Sequence, residues 1–513
     1  MMFFIVYPSF KGDSTMKKFV VFLTVLTLSL LVCSGIQKES LDERIQRVEN
    51  GLINPVIIKG QPEKMSLADR MNHHNVPGIS IAVINDYKIE WAKGYGLIET
   101  KGTESITPTT RFQAASISKP VAATASLHFV ESGLLDLDEN VNDKLVSWKV
   151  PENKFTKDKK VTLRRLLSHS AGLTVHGFGG YARGKDVPTL QQILDGEKPA
   201  NSKPIRVDIV PGRVRYSGGG YTVMQQLLID IQNKPFPEIM YETVLSPLGM
   251  KDSTYEQPLP ESLRGDAAAG HSNNGEPIRG EWHTYPEMAA AGLWTTPSDL
   301  CRFAIELMLS RDGKSNKVLS QNMTNQMLTP IQAHDSAGLG IALMGDKKDF
   351  SFSHGGSNAG FKCYLFAYPE KGKGAVVMTN GNRGSSLNLE IFRSLAAEYG
   401  WSDFRPKEKV LAEVDPAVFD RYVGKYQFEK GTLSDQMMIV VTVTKKGKSL
   451  LLRAPIPGMP MEIYPESDSE FFATTMDIQI TFVMDKEGKV TEMVPTVGRQ
   501  IEKGKKIKQE DSR

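Results

Sequence analysis

Strand-like segments stand at both ends of a long region whose interior reads as helix and loop. Residues 78–86 and 89–94 are rich in β-branched and aromatic side chains around a polar turn, which predicts a β-hairpin. Strand patterns return only at residues 350–354, 361–367 and 374–380, and helical patterns dominate from residue 116 to about residue 313. One sheet built from such distant segments, with helices packed on it, predicts an α/β or α+β domain of roughly 350 residues.

A serine and a lysine three residues apart, Ser116 and Lys119, carry the clearest chemistry in this region. Residues i and i+3 share a helix face, so the amine can take the proton that makes a serine hydroxyl a poor nucleophile. Pro120 is tolerated in a first helical turn and Gly133 is a natural stop, which predicts a helix that begins at the serine. The alternative is a chance Ser-x-x-Lys without function, because the pattern is short.

Two later segments supply partners for this pair. Tyr216 and Gly218 lie in a glycine-rich stretch before an apolar-periodic helix, which predicts a tyrosine that enters a cleft and relays protons. A protonated Lys119 beside it is expected to lower the pKa of the phenol. The alternative is a core tyrosine next to a flexible loop.

The other segment, residues 352–361, has His354, Gly356 and Ser357 after a strand-like pattern. Glycines there permit close backbone approach to a ligand, and free N–H groups can complete an oxyanion hole. The alternative for His354 is a structural histidine in a loop.

In this order the elements resemble the motifs of the serine β-lactamase and penicillin-binding protein superfamily, specifically the class C β-lactamase-related serine hydrolases. That family shows Ser-x-x-Lys, Tyr-x-Asn, and Lys-Thr-Gly or His-x-Gly, and it includes D-alanyl-D-alanine carboxypeptidases, D-aminopeptidases and esterases. Residues 166–173 and 290–300 also resemble recurrent segments of the family, and the resemblance covers about residues 55–400. It implies a β-lactamase/transpeptidase-like domain, with a central antiparallel sheet flanked by helices.

The resemblance also implies roles for the site residues. Ser116 is the nucleophile, and Lys119 and Tyr216 share the proton transfers, with the identity of the base left open because their titrations are coupled. The backbone N–H groups of Ser116 and Ser357 form the oxyanion hole. His354 positions a substrate carboxylate or assists Tyr216.

Gly218 stands where the family commonly has asparagine, whose side chain helps hold the amide of a β-lactam or peptide substrate. The resemblance therefore places Gly218 and Gly356 at the bound substrate. The missing amide weakens the case for an efficient β-lactamase and leaves esterase or other amidase activity open.

The N-terminus has the pattern of a signal peptide, assigned to residues 1–34, with Met16 as an alternative start. Lys17 and Lys18 precede an apolar run that ends at Val32, and small residues follow. The run is short for a membrane span, so an exported periplasmic or extracellular protein is expected. Cys33 follows a stretch like a bacterial lipobox, so membrane attachment is expected only if this cysteine is lipidated or the signal stays uncleaved.

Two domains are predicted after the signal: residues 35–402 for the hydrolase and, after a linker at 403–415, residues 416–510. The second domain consists of short strand patterns separated by turns, which predicts a small antiparallel sandwich or barrel. It resembles the lipocalin-like β domain that often follows such hydrolases. Its role is open between a lid over the cleft and a stabilising appendage.

The composition limits the kinds of partner and cofactor that are expected for this chain. A formal net charge of +3 over 513 residues leaves no electrostatic footprint for nucleic acid. No cofactor or metal is expected, since the pairs His73/His74 and His169/His176 lack the further ligands of a zinc site and read as structural. Cys301 and Cys363 lie among apolar neighbours and are expected to be buried thiols.

The sequence thus predicts an exported serine hydrolase that acts through an acyl-enzyme on an amide or ester: a D-amino-acid peptide, a β-lactam or a small ester. A hydrolase with a Ser-His-Asp triad would need Gly-x-Ser-x-Gly, and residues 355–359 fail that pattern at Ala359. The other alternative is a penicillin-binding or sensor protein of the same fold that is acylated without turnover.

Overall fold

The computed structural model describes residues 40–331, 336–429, 438–455, 459–498 and 500–507. The predicted signal segment, Met16 and Cys33 lie outside these residues. Within them, no helix combines the length and the apolar character needed to cross a bilayer.

The helical elements fall mainly between the two strand-bearing ends. In chain order the α-helices are α1 (Leu41–Glu49), α2 (Leu67–His74), α3 (Ser118–Glu131), α4 (Leu163–Leu167), α5 (Leu190–Asp195), α6 (Gly218–Gln232), α7 (Phe236–Met240), α8 (Met288–Ala291), α9 (Pro297–Arg311), α10 (Gln321–Met327) and α11 (Gly384–Tyr399). Short 3₁₀ turns cover Ala115–Ile117, Val141–Asp143, Glu261–Asp266, Lys347–Asp349 and Pro416–Arg421, and a π-helical turn covers Tyr241–Leu245.

The strands divide between the hydrolase region and the C-terminal region. They are β1 (Val56–Ile58), β2 (Gly78–Asn85), β3 (Lys88–Gly96), β4 (Phe112–Gln113), β5 (Tyr181–Ala182), β6 (His283–Thr284), β7 (Trp294–Thr295), β8 (Ala342–Met344), β9 (Ser351–Asn358), β10 (Phe361–Tyr368), β11 (Lys373–Thr379), β12 (Lys407–Lys409), β13 (Gly424–Phe428), β14 (Ile439–Lys446), β15 (Ser449–Arg453), β16 (Met461–Pro465), β17 (Glu470–Ala473), β18 (Gln479–Met484), β19 (Val490–Val497), β20 (Gln500–Ile501) and β21 (Gly504–Ile507).

The central sheet joins the two ends of the hydrolase region, as the sequence predicts. Its six strands lie in the order β3-β2-β11-β10-β9-β8, and every neighbouring pair is antiparallel. Side chains on a strand alternate between the two faces, yet β2 is buried from Gly78 to Ile84. Both faces of the sheet are therefore covered, and α9 and α11 pack on it.

Helix α3 forms the centre of the helical layer. Its residues from Ser118 to Leu127 are buried, and all of them except Lys119 are apolar or small. It contacts α6, α7 and α8, and the turn Ala115–Ile117 just before it packs against β9. The start of this helix is thereby brought to the edge of the sheet.

The C-terminal region is a closed barrel, which decides between the two architectures left open by the sequence. Eight strands follow in the order β18-β17-β16-β15-β14-β13-β21-β19, and β19 pairs back with β18 to close the ring. Aromatic side chains fill its interior, among them Tyr422, Tyr426, Phe471 and Phe482.

The predicted linker contains a strand. Residues 407–409, as β12, pair in parallel with β1, and the Val56 N–H donates to the Thr474 carbonyl oxygen at 3.3 Å. These bonds connect the start of the hydrolase region, the linker and the barrel.

Two local predictions can be compared with the structure. The stretch Gly355–Asn358 continues β9 instead of forming a loop, because it pairs with β10 throughout. Cys301 and Cys363 are buried free thiols, as predicted.

Candidate active site

Ser116 lies in the tight turn that leads into α3. The preceding Ala115 has φ +50°, a left-handed conformation that is uncommon for a residue with a side chain. Ser118 holds the turn in place: its Oγ donates to the Ala115 carbonyl oxygen at 2.6 Å and accepts from the Leu293 N–H at 3.0 Å. Strained backbone that is fixed by surrounding bonds is common where a reactive group is presented.

Lys119 reaches back one turn to the serine. Its Nζ donates to Ser116 Oγ at 3.0 Å and to the Ala290 carbonyl oxygen at 2.8 Å, and it lies over the rings of Tyr216 and Tyr221 at 4.9 and 5.8 Å from their centroids. No described carboxylate forms an ion pair with it, and its side chain is almost fully buried. Burial disfavours the ammonium and lowers the pKa of Lys119 to about 7. Near neutral pH a large fraction of this amine is therefore free to accept a proton.

Tyr216 approaches the same hydroxyl from the start of α6. The next residue, Ser217, is the N-cap of this helix, and its Oγ accepts from the Gly220 N–H at 3.0 Å. Burial raises the pKa of Tyr216 to about 12, and a hydrogen bond with Ser116 acts in the opposite direction. The expectation that Lys119 lowers this pKa is wrong, because desolvation of the phenolate dominates. Tyr216 is a proton donor at neutral pH.

Three histidines surround Tyr216. The ring centroids of His169, His176 and His354 lie 4.2, 4.9 and 6.5 Å from that of the tyrosine. His169 Nδ1 accepts from the Ser217 N–H at 3.1 Å, and burial and the Lys119 charge lower the pKa of this histidine. Reading His169 and His176 as purely structural missed these contacts. The only sequence signal was that His169 lies in a segment that resembles a recurrent one of the family.

His354 is neutral at physiological pH. Burial, together with the Lys119 charge, lowers its pKa to about 4. Its Nδ1 lies 2.7 Å from the Gly355 carbonyl oxygen, an acceptor, so Nδ1 carries the proton and Nε2 is left as an acceptor. A neutral ring can assist Tyr216, but it offers no positive charge to a substrate carboxylate.

Gly356 allows β9 to lie directly against the turn before α3. A Cβ at this position would lie 2.2 Å from the Ala114 carbonyl oxygen and 2.3 Å from Cys363 Sγ. Ser357 follows it, and Ser116 and Ser357 line the same cleft. The oxyanion hole formed by their N–H groups stays a prediction, consistent with this placement.

Substituting Gly356 with alanine is expected to push β9 away from Ala114 and lower kcat/KM for p-nitrophenyl acetate about a hundredfold or more, because oxyanion donors act only in precise positions. The matched control is Gly355→Ala, whose Cβ would lie 3.5 Å from Tyr364 and 4.0 Å from the Cys363 carbonyl oxygen, both ordinary contacts. We expect that variant to stay within about threefold of wild type. Equal effects of the two substitutions would contradict the role of the close approach.

The site opens into a cleft of about 1100 Å³ between the helical layer and β9. Of the residues predicted from sequence, six line it: Ser116, Lys119, Tyr216, His354, Gly356 and Ser357. Gly218 does not, because it is buried under the segment that contains His176 and Phe178. The placement of Gly218 at the substrate is therefore wrong.

Three further polar residues border the site without any signal in the sequence. Asn358 Nδ2 donates to Gln113 Oε1 at 2.8 Å and to the Ala291 carbonyl oxygen at 3.1 Å, which ties β9 to the helical layer. Lys362 Nζ donates to Ser357 Oγ at 2.7 Å, and burial lowers its pKa. Asn388 lines the cleft from α11, and its buried Oδ1 has no hydrogen-bond partner among the described residues.

Comparison with known proteins extends these observations. The family profile described as Beta-lactamase matches residues 66–398, and a domain described as of unknown function (DUF3471) matches residues 408–505. The chain is 27% identical over 379 residues to penicillin-binding protein 4 of Amycolatopsis lactamdurans. This alignment covers 70% of this chain and 95% of that protein.

Two solved structures are similar in fold. The octameric penicillin-binding protein homologue from Pyrococcus abyssi aligns with a TM-score of 0.57 and 22% identity, over 85% of this chain and 98% of its own. The D-amino acid amidase from Ochrobactrum anthropi aligns with a TM-score of 0.53 and 22% identity, over 71% of this chain and 99% of its own.

Proposed function

The chain belongs to the β-lactamase family, a class of serine hydrolases, and on this basis we propose that it is an exported enzyme that forms an acyl-enzyme on Ser116. Its substrates in this proposal are amides or esters: a D-amino-acid peptide, a β-lactam or a small ester. The observation that carries the proposal is the 3.0 Å contact between the Ser116 hydroxyl and the buried Lys119 amine. Export rests on the N-terminal residues alone.

In the acylation step the neutral Lys119 amine takes the proton of Ser116 as Oγ bonds to the substrate carbonyl carbon. The pKa values of about 7 for Lys119 and about 12 for Tyr216 favour the lysine as the base and the tyrosine as the acid. The N–H groups of Ser116 and Ser357 stabilise the oxyanion. Tyr216 then protonates the leaving nitrogen or oxygen as its bond to carbon breaks, and the Lys119 ammonium returns a proton to the phenolate.

Deacylation reverses these roles with water as the nucleophile. Lys119 takes a proton from the water, whose oxygen bonds to the acyl carbon. The bond to Ser116 Oγ breaks, the Lys119 ammonium returns this proton to the serine oxygen, and the acid is released.

Two relatives support the choice of substrates. A penicillin-binding protein is similar over most of its length, and a D-amino acid amidase shares the fold. An enzyme for amides or esters of D-amino acids is consistent with both.

Labelling and turnover together test the proposal. The purified protein is treated with a fluorophosphonate or a fluorescent penicillin, and the modified peptide is identified by mass spectrometry. We expect the fluorophosphonate adduct on Ser116, with steady release of p-nitrophenolate from p-nitrophenyl esters and hydrolysis of a D-alanine-containing dipeptide amide or a chromogenic cephalosporin. An adduct on another residue would refute the nucleophile assignment.

The second candidate is a penicillin-binding or sensor protein that is acylated without turnover. It is favoured by the similarity to a penicillin-binding protein. A stoichiometric adduct on Ser116 with no product release for any of the substrates would support this candidate over the enzyme.

A further inference from the structure

A short segment of the chain, residues 174–179, caps the helix that follows the catalytic tyrosine. The N–H groups of Gly218 and Gly219 donate to the carbonyl oxygens of His176 and Val175, each at 3.0 Å, and Ser217 Oγ donates to the Thr174 carbonyl oxygen at 2.7 Å. The N–H groups of Gly218 and Gly219 are among those that a helix leaves without a partner at its start. The segment is thus fixed relative to the start of α6.

The close contact depends on unusual backbone at two places. Val175 has φ +64°, and a β-branched residue in the left-handed region is a genuine outlier. A Cβ on Gly218 would lie 3.1 Å from both the His176 carbonyl oxygen and Phe178 Cε2, and a Cβ on Gly219 would lie 2.8 Å from the Thr174 carbonyl oxygen. The segment therefore occupies the space into which a side chain at position 218 would extend.

Phe178 is the aromatic residue of this segment, and it borders the catalytic cleft. It is half-buried, packs by part of its surface on the core and lines the cleft beside His176 and Gly177. Ala290, Ala291 and Leu389 add apolar surface to the same cleft. Among the described residues, two ordinarily charged side chains lie at this cleft: Lys119 lines it, and Lys362 borders it through its hydrogen bond to Ser357 Oγ.

From this arrangement we propose that Phe178 forms the subsite for the acyl group and selects substrates whose acyl group ends in an aromatic or branched hydrocarbon over N-acylated ones. The inference rests on the proposed function. The acyl group stays on Ser116 after the leaving group departs, so it faces the cleft wall in both half-reactions. A hydrocarbon gains by burial on the phenyl ring, whereas an amide placed there loses its hydrogen bonds to water.

Three esters with the same leaving group test the selection: p-nitrophenyl acetate, p-nitrophenyl 3-phenylpropanoate and the p-nitrophenyl ester of N-acetylglycine. For wild type we expect kcat/KM to be highest for the phenylpropanoate, after correction for spontaneous hydrolysis. Phe178→Ala is expected to lower kcat/KM for this ester roughly ten- to a hundredfold and to leave acetate within about twofold. Phe178→Leu should keep most of the preference, since leucine retains apolar surface.

The control is Phe155→Ala, which removes a half-buried phenylalanine that packs on the same core but does not line the cleft. We expect all three esters to react with it at wild-type ratios. Circular dichroism and the thermal midpoint show whether each variant is folded, and Phe178→Leu keeps the test usable if Phe178→Ala unfolds.

Three results would overturn the inference: no preference for the phenylpropanoate in wild type, a preference for the N-acetylglycine ester, or an equal loss for all esters in Phe178→Ala. Fluorophosphonate labelling separates this failure from failure of the proposed function. Labelling at Ser116 with an unselective esterase refutes only the subsite, whereas hydrolysis without Ser116 labelling refutes the function on which it rests.

Discussion

Replacing Ser116 with alanine is expected to lower kcat/KM for p-nitrophenyl acetate by about four orders of magnitude or more and to abolish fluorophosphonate labelling. The hydroxyl is the only group in the proposal that forms a covalent bond to the substrate. Its removal also leaves Lys119 Nζ with a single oxygen acceptor, the Ala290 carbonyl. The measurement is the initial rate of p-nitrophenolate release, with labelling read from a gel.

Ser386→Ala is the matched control, because Ser386 is an exposed serine at the start of α11 that does not line the cleft. It should label and turn over like wild type. Labelling or turnover that survives in Ser116→Ala would mean that another residue is the nucleophile.

Substituting Lys119 with methionine is expected to have opposite effects on activity and stability. Activity falls by about three orders of magnitude or more, because no other amine contacts Ser116 Oγ among the described residues. The free energy of unfolding rises by roughly 2–4 kcal/mol at pH 6, because a buried ammonium is replaced by an apolar side chain of similar length. This gain in stability is smaller than the full cost of burying the ammonium, because the Ala290 carbonyl oxygen loses its hydrogen-bond donor in the variant.

The pH dependence follows from the lowered pKa of Lys119, about 7 in the folded protein. In the unfolded chain lysine titrates near 10.4, so folding below pH 7 requires loss or burial of the charge. The cost to wild type is fully present below pH 7 and disappears as the pH approaches 10.4. The stability advantage of Lys119→Met therefore shrinks over this range, while wild-type acylation rises through pH 7 as the free amine forms.

Thermal unfolding at pH 6 and pH 10 and the pH profile of acylation check both parts. Lys373→Met is the control, since Lys373 is half-buried, donates to the Tyr399 carbonyl oxygen at 3.0 Å and does not line the cleft. It should change neither the pH profile nor the rate. A Lys119→Met protein that is less stable than wild type at pH 6 would contradict the cost of the buried amine.

The contact between Ser116 and Lys119 and the strands of the central sheet could both be predicted from the sequence, for the same reason. Ser116 and Lys119 are one turn apart, so their contact follows from helix geometry. The long β-branched runs of β2 and β11 identify buried strands without knowledge of their partners. Both predictions rest on the local periodicity of the sequence.

Properties that depend on packing between segments far apart in the chain could not be predicted from the sequence. The pKa of Tyr216 rises because of burial, and the sequence offers no measure of how much apolar surface the folded chain places around a phenol. Gly218 was placed at the substrate because it stands where the resembled family commonly has asparagine, but the segment with Phe178, about 40 residues earlier, covers it.

The sequence predicted the antiparallel architecture of the C-terminal domain better than it predicted the individual strands. Strand β16 ends in a proline, β19 contains one, and β21 is a short basic segment near the chain end. Proline has no N–H for the ladder of a strand, and a basic segment shows no alternation of apolar residues. Ring closure supplies the hydrogen bonds that make them strands.

The order of strands in the central sheet sets a condition on biosynthesis. β2 has β11 as one neighbour, so the third strand from one edge of the sheet is made only after the intervening helices have left the ribosome. Contacts this far apart in sequence close slowly. A chain arrested before residue 373 would expose the bonding edge of an apolar strand, which is a template for aggregation. The bonding edge of β2 therefore stays unpaired until residues 373–379 have been made.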